Sequence, residues 1–292
     1  MIIIKKNIFL VKNYRLNSCQ YIKGMLNHLL IDNSILINYT NNKFYIYNNN
    51  KFKEDNITFK NFKIIFVKYL PDIQILIELK QNNILIHDII DYFFSKNNID
   101  NYNKNFIKYF NKLIVNSDIM KEKFNINDIT TIYHNYDKRI KPTNKIIDNV
   151  YYFGIKNKLQ LSNKAINDNK IKLINFNKTV KYFNNAFSCI HICIYFEQNE
   201  LYYTYTSTKL ATAIASNSIF ICNKIPVFYE LLGTDYEFYC NSEKELPEVI
   251  LKAKKTINTT ELFNDYLNKY NYLKHKLDIN TLVNQYKYIF NK

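Results

Sequence analysis

The 292-residue sequence has no tryptophan, three glycines, four prolines and only two arginines, Arg15 and Arg139. Each scarcity narrows what the chain can be. With so little glycine, the first polar loop, Asn13-Tyr14-Arg15-Leu16-Asn17-Ser18, cannot bring its backbone as close to a phosphate as a glycine-rich loop can. No apolar run reaches the roughly 18 residues that a membrane-spanning helix requires, so none is expected. The start, Met1-Ile2-Ile3-Ile4-Lys5-Lys6, places its short apolar part before its charges. That order is wrong for a signal peptide, and the segment reads as the entry to a first buried strand. The five cysteines, at 19, 189, 193, 222 and 240, form no disulfide framework and no paired metal spacing. They read as reduced, buried thiols of a cytoplasmic protein, with no metal and no cofactor expected.

What the sequence does contain is lysine, asparagine, isoleucine and tyrosine, the mark of an A/T-biased genome. A hydrophobic share of 47% supplies real cores, and the length suits two domains. The net charge is +15, but the lysines are scattered and not gathered into a stripe. No nucleic-acid partner is therefore expected. Attraction to anionic ligands, or peripheral contact with an anionic membrane surface, stays open.

Taken in order, the apolar periodicity reads as an α/β chain. Strands are expected at 2–11, 35–37, 64–67, 84–86, 112–115 and 129–133, with helices at 21–30, 73–81, 105–111 and, capped by Ser117, 117–124. The Asn- and Lys-rich stretch 41–56 reads as a hairpin or a loose excursion. Lys141-Pro142-Thr143-Asn144 reads as a linker, after which the pattern restarts. Strands follow at 150–153, 171–176, 189–195, 219–222 and 236–240, and helices close the chain at about 260–277 and 279–290. Short apolar strands alternating with helices mean parallel sheets. The expected organisation is a first Rossmann-like domain over 1–141, a second over 145–277, and a last helix, 278–292, that could pack back on the first. Ligands in such sheets bind beyond the carboxyl ends of the strands, and loops of two facing domains would line one cleft.

One stretch carries most of the chemistry. Thr206-Ser207-Thr208-Lys209 feeds a helix with Ala211, Ala213 and Ala215, followed by the apolar strand 219–222 and Pro226. A hydroxyl-rich loop at a helix N-terminus, with a lysine beside it, is an anion site in the making. This segment, with Pro226-Val227-Phe228-Tyr229-Glu230-Leu231-Leu232-Gly233, resembles the donor-binding half of GT-B glycosyltransferases of the group 1, GT4-like kind. Asp235-Tyr236-Glu237-Phe238-Tyr239, Tyr152-Phe153-Gly154, Asn116-Ser117 and His87-Asp88-Ile89-Ile90-Asp91 continue the resemblance, which covers roughly 84–275 and is closest from 204 to 246.

The resemblance implies two Rossmann-like domains facing across a cleft and transfer of a sugar from a nucleotide-sugar donor to a hydroxyl of a glycan, lipid or protein. It implies metal-independent chemistry of the hexosyltransferase kind. Ser207, Thr208 and Lys209 would meet the donor diphosphate; Gly154, Thr212 and Glu230 would complete the donor site. His87 or Asp88, with Asp91 behind them, would act as general base, as an inverting reaction requires. Arg15 would contact phosphate or acceptor, and the tyrosines of the run 202–205 would offer rings to a base or sugar. A second reading is a catalytically degenerate relative kept for binding or assembly. Its motives are Thr212, where many retaining members carry Glu, and the glycine-poor loops.

Overall fold

A computed structural model describes residues 7–12, 14, 20–55, 57–90, 99–154, 156, 159–175, 182, 185–196, 205 and 207–291. The chain divides into two compact units, one of residues 1–133, 204–206 and 279–292, the other of 134–203 and 207–278.

The first unit is built on an eight-stranded sheet in the order β4-β3-β2-β1-β5-β6-β7-β8. Its strands are β1 (Asn7–Lys12), β2 (Ser34–Thr40), β3 (Lys43–Asn48), β4 (Lys51–Glu54), β5 (Lys63–Val67), β6 (Ile84–Asp88), β7 (Lys112–Val115) and β8 (Ile129–Thr131). Across the sheet from β2 to β8 all neighbours are parallel. This is why β5 and β7 are buried along their whole length and show no polar alternation. β3 and β4 form the antiparallel hairpin that residues 41–56 left open, with Asn49 and Asn50 in the left-handed conformation that Asn tolerates in a tight turn. The helix expected over 21–30 is a π-helical turn, Gln20–Met25, running into Leu26–Leu30.

The last helix, Ile279–Asn291, belongs to this unit. It buries Ile279, Leu282, Val283, Tyr286, Ile289 and Phe290, one face at helical spacing. That face joins Phe9, Leu26, Leu36 and Ile65 in one core. Lys63 Nζ, at the start of β5, donates to the Phe290 carbonyl at 2.6 Å and closes the helix end.

The second unit has a four-stranded parallel sheet, β10-β9-β11-β12. Here β9 is Pro142–Phe153, β10 Lys172–Ile174, β11 Ala186–Cys193 and β12 Ile219–Cys222. β9 is longer than expected: the segment read as a linker at 141–144 is its start, where Ala186 pairs with Pro142. Pro142 stands at the first strand position, where its missing N–H costs the ladder least. The strand expected at 236–240 reduces to a single bridge, Cys222 with Tyr239. The aromatic residues there serve as core: Tyr236 and Phe238 are buried, and Tyr236 Oη donates to the Phe220 carbonyl at 2.5 Å. In the first unit, the helix expected over 105–111 lies earlier, at Ile99–Asn105, followed by a 3₁₀ turn at Ile107–Tyr109. Over 117–124 a 3₁₀ turn, Ile119–Lys123, replaces the α-helix.

Both sheets are doubly wound. In the second unit the order turns back between β9 and β11, because β10 lies on one side of β9 and the later strands on the other. A ligand crevice belongs at the carboxyl ends of these two strands.

Candidate functional site

The carboxyl end of β9 is Tyr152-Phe153-Gly154, and β11 runs out through Ile194 to Tyr195. Both ends meet the Thr208–Ala215 helix through one side chain. Lys209 Nζ donates to Tyr195 Oη at 2.6 Å and to Tyr152 Oη at 3.3 Å. It also lies 5.1 Å from the Tyr195 ring centroid and 4.8 Å from that of Tyr152, within cation–π range. Lys209 is half-buried, and among the described residues no carboxylate pairs with it. A cation removed in part from water, with no counter-ion among the described residues, suits an anionic ligand.

Gly154 belongs to the same cluster. Its φ is +154°, and a Cβ there would meet Tyr152 Oη at 3.1 Å and ring carbons at 3.2 and 3.3 Å. Only glycine lets the Tyr152 ring fold back over the strand end.

The helix starts against a fixed support. Ser207 Oγ accepts from the His134 amide at 3.0 Å and donates to the His134 carbonyl at 3.0 Å. Both residues are fully buried. The Ser207 hydroxyl is therefore a clamp between the helix start and the chain after β8, and not a free donor to a ligand. Thr208 is half-buried in the first turn, where amides lack intrahelical acceptors. Ala211 and Ala213 are wholly buried, so the helix lies close on its sheet. Thr212 Oγ1 donates to the Thr208 carbonyl at 2.8 Å, the back-bonding habit of helical threonine. That hydroxyl hydrogen stays within the helix, so Thr212 could meet a ribose only as an acceptor. Glu230 is half-buried on the Pro226–Leu232 helix, and no hydrogen bond joins it to Lys209.

The first unit holds the acid and base candidates, and it encloses them. His87 is fully buried; its ring stacks on Phe110 at 4.9 Å, and Nδ1 shares a hydrogen bond with Tyr102 Oη at 2.9 Å. Burial pushes its pKa down to about 3, so the ring is neutral at pH 7. Asp88 is 1% exposed, 3.5 Å from Lys23 Nζ, and accepts from Tyr286 Oη at 2.5 Å. Burial raises its pKa, while Lys23 and the Tyr286 bond act the other way. A general base must come within hydrogen-bond reach of the acceptor proton. Among the described residues both are packed in core, so the base role expected of His87 or Asp88 is an expectation that this packing does not favour. Arg15, Asp91, Tyr202 and Tyr203 lie outside the described residues, while Tyr205 accepts from Asn116 Nδ2 through its carbonyl at 2.8 Å.

The spacing of the sequence pointed to Lys209 but not to its partners. Tyr152 and Tyr195 each sit at the end of an apolar strand, and that position was the available signal. Lys23 and Tyr286 were also missed. Each borders an apolar helical stripe, where a polar end group invites a buried partner.

No protein-family model matches the chain, and no curated protein does. Solved structures do. A glycosyltransferase of Rickettsia africae matches over 98% of each chain, with 12% identity and a TM-score of 0.61. HepE of Anabaena, in complex with UDP and glucose, matches over 99% of this chain and 100% of its own, with 10% identity and a TM-score of 0.63. An alpha-glucosyltransferase in complex with UDP and a 13-mer DNA matches over 99% and 100%, with 9% identity and a TM-score of 0.58. The chain has the GT-B fold. Both Rossmann-like units and the closing helix of the first thus fall within one known architecture. The last of these GT-B structures contains DNA, which withdraws the exclusion of nucleic acid drawn from composition. Among the described residues no helix is long and apolar enough to cross a membrane.

Proposed function

We propose that this GT-B chain is a glycosyltransferase that moves a sugar from a nucleotide-sugar donor to a hydroxyl acceptor. The observation that carries the reading is Lys209: a half-buried ammonium without a carboxylate partner among the described residues, at the switch point of a doubly wound sheet and in the first turn of a helix. Transfer breaks the bond from the sugar's anomeric carbon to the diphosphate and forms one to the acceptor oxygen. Charge grows on the departing diphosphate, and groups aimed at that charge lower the barrier. In this reading Lys209 and the first-turn amides at Thr208 meet it, in place of a bound divalent cation. Gly154 makes room for the Tyr152 ring at the strand end, Ser207 fixes the helix start, and Glu230 is offered to the sugar or ribose. A hexose is the proposed sugar, in keeping with the glucose and UDP-glucose held by HepE. A cytoplasmic setting, with peripheral attraction to anionic membrane through the +15 charge, belongs to the same reading.

A thermal-shift screen of the purified chain against UDP, UDP-glucose and other nucleotide sugars tests it. Binding to the native state raises the melting temperature. A shift with a nucleotide sugar, followed by release of nucleoside diphosphate when an acceptor is present, is the expected result. Absence of any shift across the panel would sink the proposal, and a shift without turnover would favour the degenerate relative.

A further inference from the structure

The way Lys209 is held goes beyond its identity as a cation. An ammonium has three N–H donors. Two are directed at phenol oxygens, Tyr195 Oη at 2.6 Å and Tyr152 Oη at 3.3 Å, and the Cys193 thiol is a further, weaker partner of the ammonium. The phenols come from the two strand ends on either side of the sheet's switch point, so the sheet itself fixes their spacing. Tyr152 is wholly buried and Tyr195 nearly so.

The side chains described around the ammonium are neutral. Burial raises the Tyr152 phenol, and it raises the Cys193 thiol more than nearby Lys209 lowers it. A carboxylate in the same place would orient the lysine equally well, but it would cancel the charge that an anion needs. Phenols orient without cancelling. They also remove the freedom of a long side chain before the ligand arrives, and such preorganisation strengthens binding without adding a contact.

We propose that Tyr195 and Tyr152 are positioning residues that pre-set the Lys209 ammonium for the diphosphate of the donor, with Gly154 making room for the Tyr152 ring. The inference rests on the reading that Lys209 meets that diphosphate. Tyr195 is the stronger of the two, because its bond is shorter. Neither tyrosine is a catalytic residue here, since each acts through the lysine.

Calorimetric titration of the full chain with UDP tests the proposal, with uridine as a probe that lacks phosphate. Tyr195→Phe keeps ring and volume and removes the hydroxyl. It is expected to weaken UDP about tenfold, the size of a lost bond to a charged group, and to leave uridine unchanged. Tyr152→Phe is expected to weaken UDP about two- to threefold, and it serves as the second variant should Tyr195→Phe not fold. In a Lys209→Ala background Tyr195→Phe is expected to add nothing further, because the lysine through which it acts is gone. A merely structural tyrosine would lower the melting temperature and leave the ratio of UDP to uridine affinity alone. Lys209-dependent UDP binding that neither Phe variant alters overturns this inference and spares the donor reading. No UDP binding by the wild-type chain, or binding that Lys209→Ala leaves intact, overturns both.

Discussion

Lys23 and Lys209 both lie against tyrosine rings, and what differs between them separates a structural cation from a binding one. Lys23, in the first unit, is 1% exposed, 5.7 Å from the Tyr286 centroid, 3.5 Å from Asp88 and 2.9 Å from the Ile132 carbonyl. Lys209, in the second unit, is half-buried and has phenols where Lys23 has a carboxylate. The first cluster is closed: its charge is answered inside the core, and it ties together the π-helical turn, β6 and the last helix. The second is open among the described residues, where its charge is oriented but met by no carboxylate. The same two residue types make a fold device in one unit and a ligand device in the other. Among the described residues the difference is one acidic side chain.

The largest expected effect breaks the closed cluster. Lys23→Ala leaves the Asp88 carboxylate buried and unanswered, which should cost about 3–5 kcal/mol in urea unfolding. Lys209→Ala should cost less than about 1.5 kcal/mol, since a half-exposed ammonium can be replaced by water at its phenols. Equal losses at the two sites would erase the distinction.

Acid sharpens the comparison next. His87 in the first unit and His191 in the second are both held neutral by burial, with pKa values pushed down to about 3 from 6.5. Below 6.5 the unfolded chain takes up protons that the native rings refuse. Each His therefore supports the fold fully above pH 6.5, and that support fades as pH falls toward 3. At 1.36 kcal/mol per pKa unit, each contributes on the order of several kcal/mol at most. Asp88, whose pKa is raised, runs the other way: its native carboxyl holds its proton longer, so its contribution weakens as pH rises from the ordinary value of 3.8. The urea midpoint should fall between pH 6.5 and 4, and His87→Leu should flatten part of that slope. A pH-independent midpoint would contradict the buried, neutral histidines.

Much of this arrangement is legible in the sequence, for physical reasons. Strands buried on both faces, such as Ile64-Ile65-Phe66-Val67, announce themselves as apolar runs, and the fold class follows from their alternation with helices. The proposed anion site at Lys209 is legible because a hydroxyl-rich helix start with a lysine beside it is a local pattern of residue types. Long-range partners are not. Nothing local to Lys23 names Asp88 or Tyr286, and nothing near Lys209 names Tyr152. His87 and Asp88 fit a base by residue type, but their burial is not local: Tyr286 of the last helix covers Asp88, while Tyr102 and Phe110 cover His87 on the other face of β6. The start of β9 was hidden because Pro142 and Asn144 are turn formers by propensity, which pairing with β11 overrides.

A middling effect is expected at Tyr286→Phe. It removes one hydrogen bond to Asp88 while keeping the ring against Phe9, and should cost about 1.5–3 kcal/mol in thermal or urea unfolding. A neutral outcome would mean that Lys23 alone satisfies the carboxylate. The smallest effect belongs to Thr212→Ala, whose hydroxyl bonds only its own helix among the described residues. Stability should change by less than about 0.5 kcal/mol and UDP affinity by less than about twofold. A large loss of UDP affinity would place Thr212 in the donor site.

The central claim is that the open cluster at Lys209 receives a nucleotide diphosphate. The most direct measurement is calorimetric titration of UDP-glucose into the wild-type chain and into Lys209→Ala, side by side. Saturable binding by the wild type, weakened at least about tenfold in the variant, is the expected result, that being the size of one lost charge-assisted bond. Equal affinities in the two proteins, or no binding in either, would contradict it.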